Sequence, residues 1–182
     1  FILIKNVTCF KEGTLILALV EGIEKYIPIE QLTNNTYVKT HLSGYKKIFA
    51  IGKKLIYEDN TTIRHKDRLY RLPINKYPEL FEDLYITGCH SILVDNFVSF
   101  EQKVKSISLN GHLCITENKY RLPACLDDRA EIVTNNGSNY IYHFALENDN
   151  YYMNYGVYAN GLLVETCSKR YITELSQLDI IR

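Results

Sequence analysis

Short runs of β-branched and apolar residues, interrupted every few positions by Gly, Pro or Asn-Gly, dominate the chain and predict strands. Phe1-Ile2-Leu3-Ile4 is the first such run and residues 14–20 are the second. Gly22 is a hairpin-compatible breaker before Tyr26-Ile27-Pro28-Ile29, and Pro28 confines that segment to an edge or a strand start. Ile29-Glu30-Gln31-Leu32 reads as one helical turn. Strands resume at residues 37–40 and 47–56, and Gly52 inside the latter predicts a bulge. Residues 57–69 are polar and charged, a loop or an exposed helix, and Pro73 keeps residues 69–73 extended. Leu84-Tyr85-Ile86, then Thr87-Gly88-Cys89-His90, then Ser91-Ile92-Leu93-Val94 reads as strand, tight glycine turn, strand. Further strands are predicted at 107–109, 113–115, 131–133, 140–146, 155–158 and 162–165, with hairpin signals at Asn110-Gly111, Asn136-Gly137 and Asn160-Gly161. Only residues 171–181 have a weakly helical look. The fold class expected from this pattern is all-β, without repeats, low-complexity tracts or linkers.

The length of 182 residues predicts one domain with a core of its own, and 46% hydrophobic with 23% charged residues fits a globular chain. Lys+Arg and Asp+Glu both number 21, so no basic excess points to nucleic acid or an anionic membrane as partner. No apolar run is long enough to span a bilayer and no signal peptide is visible; a chain starting at Phe1 reads as a fragment or processed piece. Five cysteines, at 9, 89, 114, 125 and 167, are odd in number and form no C-x-x-C pair, which speaks against a disulfide framework and a zinc knuckle. Free thiols in a reducing intracellular compartment are the expectation, with no metal and no cofactor. Phosphate-binding glycine loops, H-E-x-x-H and G-x-S-x-G are absent.

Three places can hold chemistry. Cys9 follows Val7-Thr8 and precedes Phe10-Lys11-Glu12-Gly13-Thr14, where a buried structural cysteine is the plainer reading. His90 lies three residues after Thr87, at a strand–turn–strand junction from which a ring can face a neighbouring backbone bond; a surface-turn histidine is the alternative. His143 sits in the apolar strand 140–146, where alternation puts Ile141, His143 and Ala145 on one face and Tyr142, Phe144 and Leu146 on the other. An imidazole there needs a partner, and a satisfied structural histidine is the alternative. His41, His65 and His112 lie in polar settings and take no role.

In order along the chain, these signals resemble the Hint (hedgehog/intein) autoprocessing module. Cys9-Phe10-Lys11-Glu12-Gly13-Thr14 is similar to its opening Cys and Phe-x-x-Gly-Thr, followed by Ile29-Glu30-Gln31-Leu32 and Tyr37-Val38-Lys39-Thr40. Thr87-Gly88-Cys89-His90 resembles its T-x-x-H motif, and residues 141–147 with Val157-Tyr158-Ala159-Asn160-Gly161-Leu162-Leu163-Val164 resemble its closing pair. Lys47-Ile48-Phe49-Ala50-Ile51-Gly52 and Tyr120-Arg121-Leu122-Pro123-Ala124 are similar to connecting segments. The resemblance runs from Cys9 to about Cys167 and leaves no room for a homing endonuclease. It implies a horseshoe-shaped all-β fold with pseudo-twofold symmetry, an upstream segment at 1–8, the Hint domain at 9–167 and a downstream tail at 168–182.

It also implies a single-turnover, self-directed reaction: the Cys9 thiol attacks the Thr8 carbonyl, and the Thr8–Cys9 amide becomes a thioester. Thr87 orients the scissile peptide, His90 protonates the departing nitrogen, and His143, standing where inteins carry Asp or Cys, accepts the thiol proton. The C-terminal end departs from the intein pattern. Val164-Glu165-Thr166-Cys167-Ser168 replaces the terminal His-Asn by Glu165-Thr166. Threonine has no side-chain amide to attack its own carbonyl, so the expectation is N-terminal cleavage without splicing. Cys167 is a possible secondary nucleophile, or an unused cysteine. The partners expected are the chain's own flanking polypeptide as substrate and water or a small nucleophile as acceptor, with no nucleic acid and no membrane, on a monomer. Two alternatives remain: a degenerate Hint fold serving as a non-catalytic structural or interaction module, and a papain-like Cys–His hydrolase, disfavoured because the surroundings of Cys9 do not match.

Overall fold

A computed structural model describes residues 7–58, 60–134 and 137–181. Among the described residues, fifteen strands form one connected antiparallel system: β1 (Phe10–Lys11), β2 (Leu15–Val20), β3 (Ile23–Pro28), β4 (Tyr37–Lys39), β5 (Tyr45–Tyr57), β6 (Leu69–Leu72), β7 (Leu84–Thr87), β8 (Ser91–Val94), β9 (Ile115–Thr116), β10 (Lys119–Pro123), β11 (Glu131–Ile132), β12 (Ser138–Leu146), β13 (Gly156–Ala159), β14 (Leu162–Glu165) and β15 (Asp179–Ile181). The chain is therefore all-β, as its pattern predicts. The one α-helix among the described residues, α1, spans Phe100–Asn110.

The pairing is palindromic. Along the row β3-β2-β13-β14-β8-β10, the β13–β14 hairpin forms the centre and its two strands pair outward with β2 and β8. A strand ending in proline and running into a 3-10 turn occurs twice, at Pro28 before Ile29–Gln31 and at Pro123 before Ala124–Leu126. The two longest strands, β5 and β12, pair with each other. These relations give the chain an internal near-twofold organisation.

Burial explains why β12 is central. Ile141 to Leu146 are all buried, and the two faces serve different clusters. Tyr142, Phe144 and Leu146 join the main core with Phe10, Ile16, Ile92 and Val157. Ile141 packs instead with Val7, Cys9, Leu69 and Leu178, and Ala145 with Cys167 and Ile172. The alternation predicted for this strand is observed, and it sets His143 between these two smaller clusters.

Several local expectations are corrected. Residues 107–109 are helical rather than a strand. Ser99 caps α1 by accepting the Gln102 N–H (3.1 Å), and Gly111 closes it at φ 82°, so Asn110-Gly111 ends a helix instead of turning a hairpin. The register of β5 runs regularly through Gly52, and the bulge falls where Ala145 and Leu146 oppose Ala50 and Ile48, skipping Phe49. Gly52 is needed for another reason: a Cβ there would lie 2.6 Å from Leu178 Cβ. Residues 171–181 are a single π-helical turn (Tyr171–Leu175) followed by β15, which pairs with β5. Phe1-Ile2-Leu3-Ile4 and Asn136 lie outside the described residues. The helical turn at Ile29 and the Asn160-Gly161 hairpin, with φ 48° and 96°, are present.

Candidate active site

Cys9 enters β1 at the meeting of both halves. β1 pairs with β7 on one side and with β12 on the other, through Phe10 opposite Ile86 and Tyr142. Glu12 N–H donates to the Tyr140 carbonyl (2.9 Å), which makes 12–140 and 10–142 the hydrogen-bonded pairs. Continuing that register sets Cys9 opposite His143 in a non-hydrogen-bonded pair, where side chains approach most closely. One step earlier, Thr8 would fall opposite Phe144. The ladder stops there, because the Thr8 N–H donates to the Tyr171 hydroxyl (2.9 Å) instead.

The Thr8–Cys9 peptide is gripped by Thr87. Its hydroxyl accepts the Cys9 N–H (2.9 Å) and donates to the Val7 carbonyl (2.5 Å), while its own N–H donates to the Cys9 carbonyl (3.0 Å). One threonine thus spans three consecutive peptide units, two through its hydroxyl and the third through its backbone. Gly88 makes the turn after it possible: a Cβ there would sit 2.8 Å from the Lys66 carbonyl and from the Tyr70 ring. This close passage brings His90 beneath Cys9.

His90 is fully buried, with Nε2 2.8 Å from the Glu165 carbonyl oxygen. A carbonyl only accepts, so Nε2 carries the proton and Nδ1 is the bare nitrogen of a neutral ring. Nδ1 has no hydrogen-bond partner among the described residues. Burial pulls the His90 pKa down, opposed by the Glu165 carboxylate and by the Glu165 and Cys9 backbone. His143 is also fully buried, and neither of its ring nitrogens has a partner among the described residues. Its ring stands 5.0 Å from His90, 5.5 Å from Phe10 and 6.2 Å from Tyr171, centroid to centroid. Burial first, and the neighbouring His90 second, hold its pKa well below the usual imidazole value.

The Cys9 thiol lies in the cluster of Val7, Leu69, Ile141 and Leu178. Burial raises its pKa well above that of an ordinary thiol, and Cys167 and Cys89 raise it further. The thiol is therefore protonated and both imidazoles are neutral at pH 7.

A cleft of about 400 Å³ opens on the other side of the peptide. Thr8, Cys167 and Tyr171 line it, together with Arg121 and Glu165, whose ion pair measures 3.2 Å. Cys167 Sγ–H donates to the Phe144 carbonyl (3.3 Å), and burial pushes this thiol up as well. Glu165 also accepts the Ser91 N–H (3.1 Å), and Thr166 is held against Tyr155 by backbone and side chain, with Thr166 N–H to the Tyr155 carbonyl at 2.7 Å.

The structure thus brings Thr8, Cys9, Thr87, His90 and His143 to one place, with Cys167 on the same cleft. His41 contacts Tyr158, His112 contacts Cys114, and His65 accepts the Asp67 N–H, so these three have local partners elsewhere. Tyr171 escaped the sequence reading, being one of 15 tyrosines in a segment without a motif. Arg121, read there only as part of a connecting segment, proves to be the partner of Glu165.

No protein-family model matches the sequence, and no curated protein matches it. Among solved structures, the chain is similar to the VidaL intein (selenomethionine variant) over 90% of this chain and 99% of that one, at 13% identity and a TM-score of 0.45.

Proposed function

We propose that this chain is a Hint-like autoprocessing domain that breaks its own Thr8–Cys9 bond. The observation that carries the reading is the Thr87 hydroxyl bridging the Val7 carbonyl and the Cys9 N–H, with two buried imidazoles 5.0 Å apart, that of His143 opposite Cys9 in the continued strand register. The hydroxyl thereby fixes the backbone on both sides of the Thr8 carbonyl.

In the proposed step Cys9 Sγ forms a bond to the Thr8 carbonyl carbon, and the bond from that carbon to the Cys9 nitrogen breaks. The proton leaves sulfur and arrives on nitrogen, so the product is a Thr8 thioester on Cys9 with a free α-amine. Amide resonance makes the shift uphill, and proton transfer to the departing nitrogen lowers its barrier. His143, opposite Cys9 in the strand register, is the acceptor for the sulfur proton; that proton passes to the bare Nδ1 of His90, whose ring stands 5.0 Å away, and from there to the Cys9 nitrogen, so that both imidazoles end neutral as they began. Because thiol and imidazoles are uncharged at rest, the transfer occurs in the transition state and the resting peptide survives. Water or a small thiol entering the cleft beside Thr8 then takes the acyl group and releases the upstream segment. Thr166 lacks a side-chain amide, so the second junction stays closed.

The test is intact-mass measurement on the chain with residues upstream of Cys9, incubated with and without dithiothreitol. Thiol-dependent release at Thr8–Cys9, lost in Cys9→Ala, is the expected result. The raised Cys9 thiol favours the competing reading of an inert structural module, and a chain still intact after days at several pH values supports that reading instead.

A further inference from the structure

Among the described residues after Cys167, Tyr171 and Leu178 turn back onto the site. Tyr171 N–H donates to Ser168 Oγ (3.1 Å) and the Ser176 N–H donates to the Tyr171 carbonyl (2.8 Å), which closes the π turn around Tyr171. Leu178 is buried with Val7 and Cys9, over the space that Gly52 leaves open. β15 then pairs with β5 from Asp179 opposite Lys53 to Ile181 opposite Ile51. The segment is a strap, anchored at both ends, that carries one phenol to the reacting peptide.

That phenol completes the grip on Thr8. Thr87 fixes the Cys9 N–H and the Val7 carbonyl; Tyr171 fixes the Thr8 N–H between them. With the amides on either side of its Cα held, the direction of the Thr8 carbonyl is set toward one approach. Tyr171 also lies on the cleft through which an acceptor arrives. We infer that Tyr171 is a positioning residue for the acyl shift and that the downstream strap is a working part of the cleavage site. The inference rests on the self-cleavage reading above and extends it to residues past the last motif. Its role is to orient: the hydroxyl accepts the Thr8 N–H, and burial, which raises its pKa, makes the phenol a poor acid. Freeing the backbone of one residue next to the reacting bond slows such a step about tenfold.

The experiment compares wild type, Tyr171→Phe and Cys9→Ala, each as the full chain with upstream residues, over a series of dithiothreitol concentrations. Tyr171→Phe is expected to lower the plateau release rate about tenfold, with the half-saturating dithiothreitol concentration unchanged. By NMR its Thr8 amide is expected to exchange faster while the Cys9 amide, still held by Thr87, stays protected. A wild-type plateau in Tyr171→Phe overturns the assignment of Tyr171 and leaves self-cleavage standing. A wild type that releases nothing overturns both. Should Tyr171→Phe not fold, Leu178→Ala keeps the phenol and loosens the strap. It is expected to lower the plateau by a smaller factor at unchanged half-saturation, and an unchanged plateau overturns the strap's role.

Discussion

Replacing His143 by leucine separates what the imidazole costs the fold from what it gives the site. Both ring nitrogens are buried without hydrogen-bond partners among the described residues, in a nest of Phe10, His90 and Tyr171 rings. Each unsatisfied buried polar atom costs about 1–3 kcal/mol, so leucine, close to histidine in volume, recovers at least about 2 kcal/mol. Fitting a branched aliphatic chain among rings costs roughly 1 kcal/mol of that or somewhat more. The net expectation is a gain of about 1–2 kcal/mol, which in a domain of this size raises the thermal midpoint by roughly 2–8 °C. The same substitution removes the imidazole opposite Cys9 in the strand register, so thiol-dependent release is expected to fall about a hundredfold, on the order general-base catalysis supplies. Calorimetry at neutral pH and intact-mass kinetics on one preparation read both effects. A lower midpoint means the nitrogens are satisfied, and release at the wild-type rate means the imidazole is not the base; either result refutes the reasoning.

Two further expectations follow from the same map. His143 and His90 have folded-state pKa values below their unfolded value near 6.5, so above that pH neither state takes up the proton. As pH falls below about 6.5 the unfolded chain is protonated first, and stability is lost by roughly 1–3 kcal/mol by about pH 5.5 from the pair. Urea unfolding between neutral and mildly acidic pH checks this, and a flat midpoint across that window contradicts it. Asn160 accepts the Leu15 N–H (2.8 Å) and donates to the Asp83 carbonyl (3.0 Å) at φ 48°, so Asn160→Ala loses both bonds and puts alanine in the left-handed region. The expected cost is about 2–4 kcal/mol in urea unfolding, with Thr8–Cys9 release persisting below the new midpoint; a cost under about 1 kcal/mol removes Asn160 from its structural role.

The sequence carried the fold class because many short apolar or β-branched runs are bounded by turn residues. Residues 140–146 are the best case: their face assignment is the one the two clusters use. Helix α1 was hidden because its faces are polar and its stop signal, Asn110-Gly111, is chemically the same as a hairpin's. Gly52 was read as a bulge but sits in regular register; the glycine serves the close approach of the Leu178 side chain, which lies far along the chain and leaves no local signal. Cys9, Thr87, His90 and His143 were singled out through motifs that resemble a Hint module, and the fold gathers these four residues in one place. Their protonation states were not legible, because desolvation depends on what packs around them. Asn160-Gly161, quoted as part of a motif, turns out to tie β2 and the 80–83 segment together rather than to touch Cys9.

The distances along the chain between the parts of the grip set a clock. Cys9 and Thr87 are 78 positions apart, and Thr8 and Tyr171 are 163 apart. A ribosome adding about 5–20 residues per second leaves Thr8 waiting on the order of ten to thirty seconds before its phenol has even been translated. In the reaction proposed above, the Cys9 amide gains Thr87 well before the Thr8 amide gains its phenol, and whatever is attached ahead of Thr8 has the remaining interval to fold while still covalently joined. The topology thereby doubles as a delay.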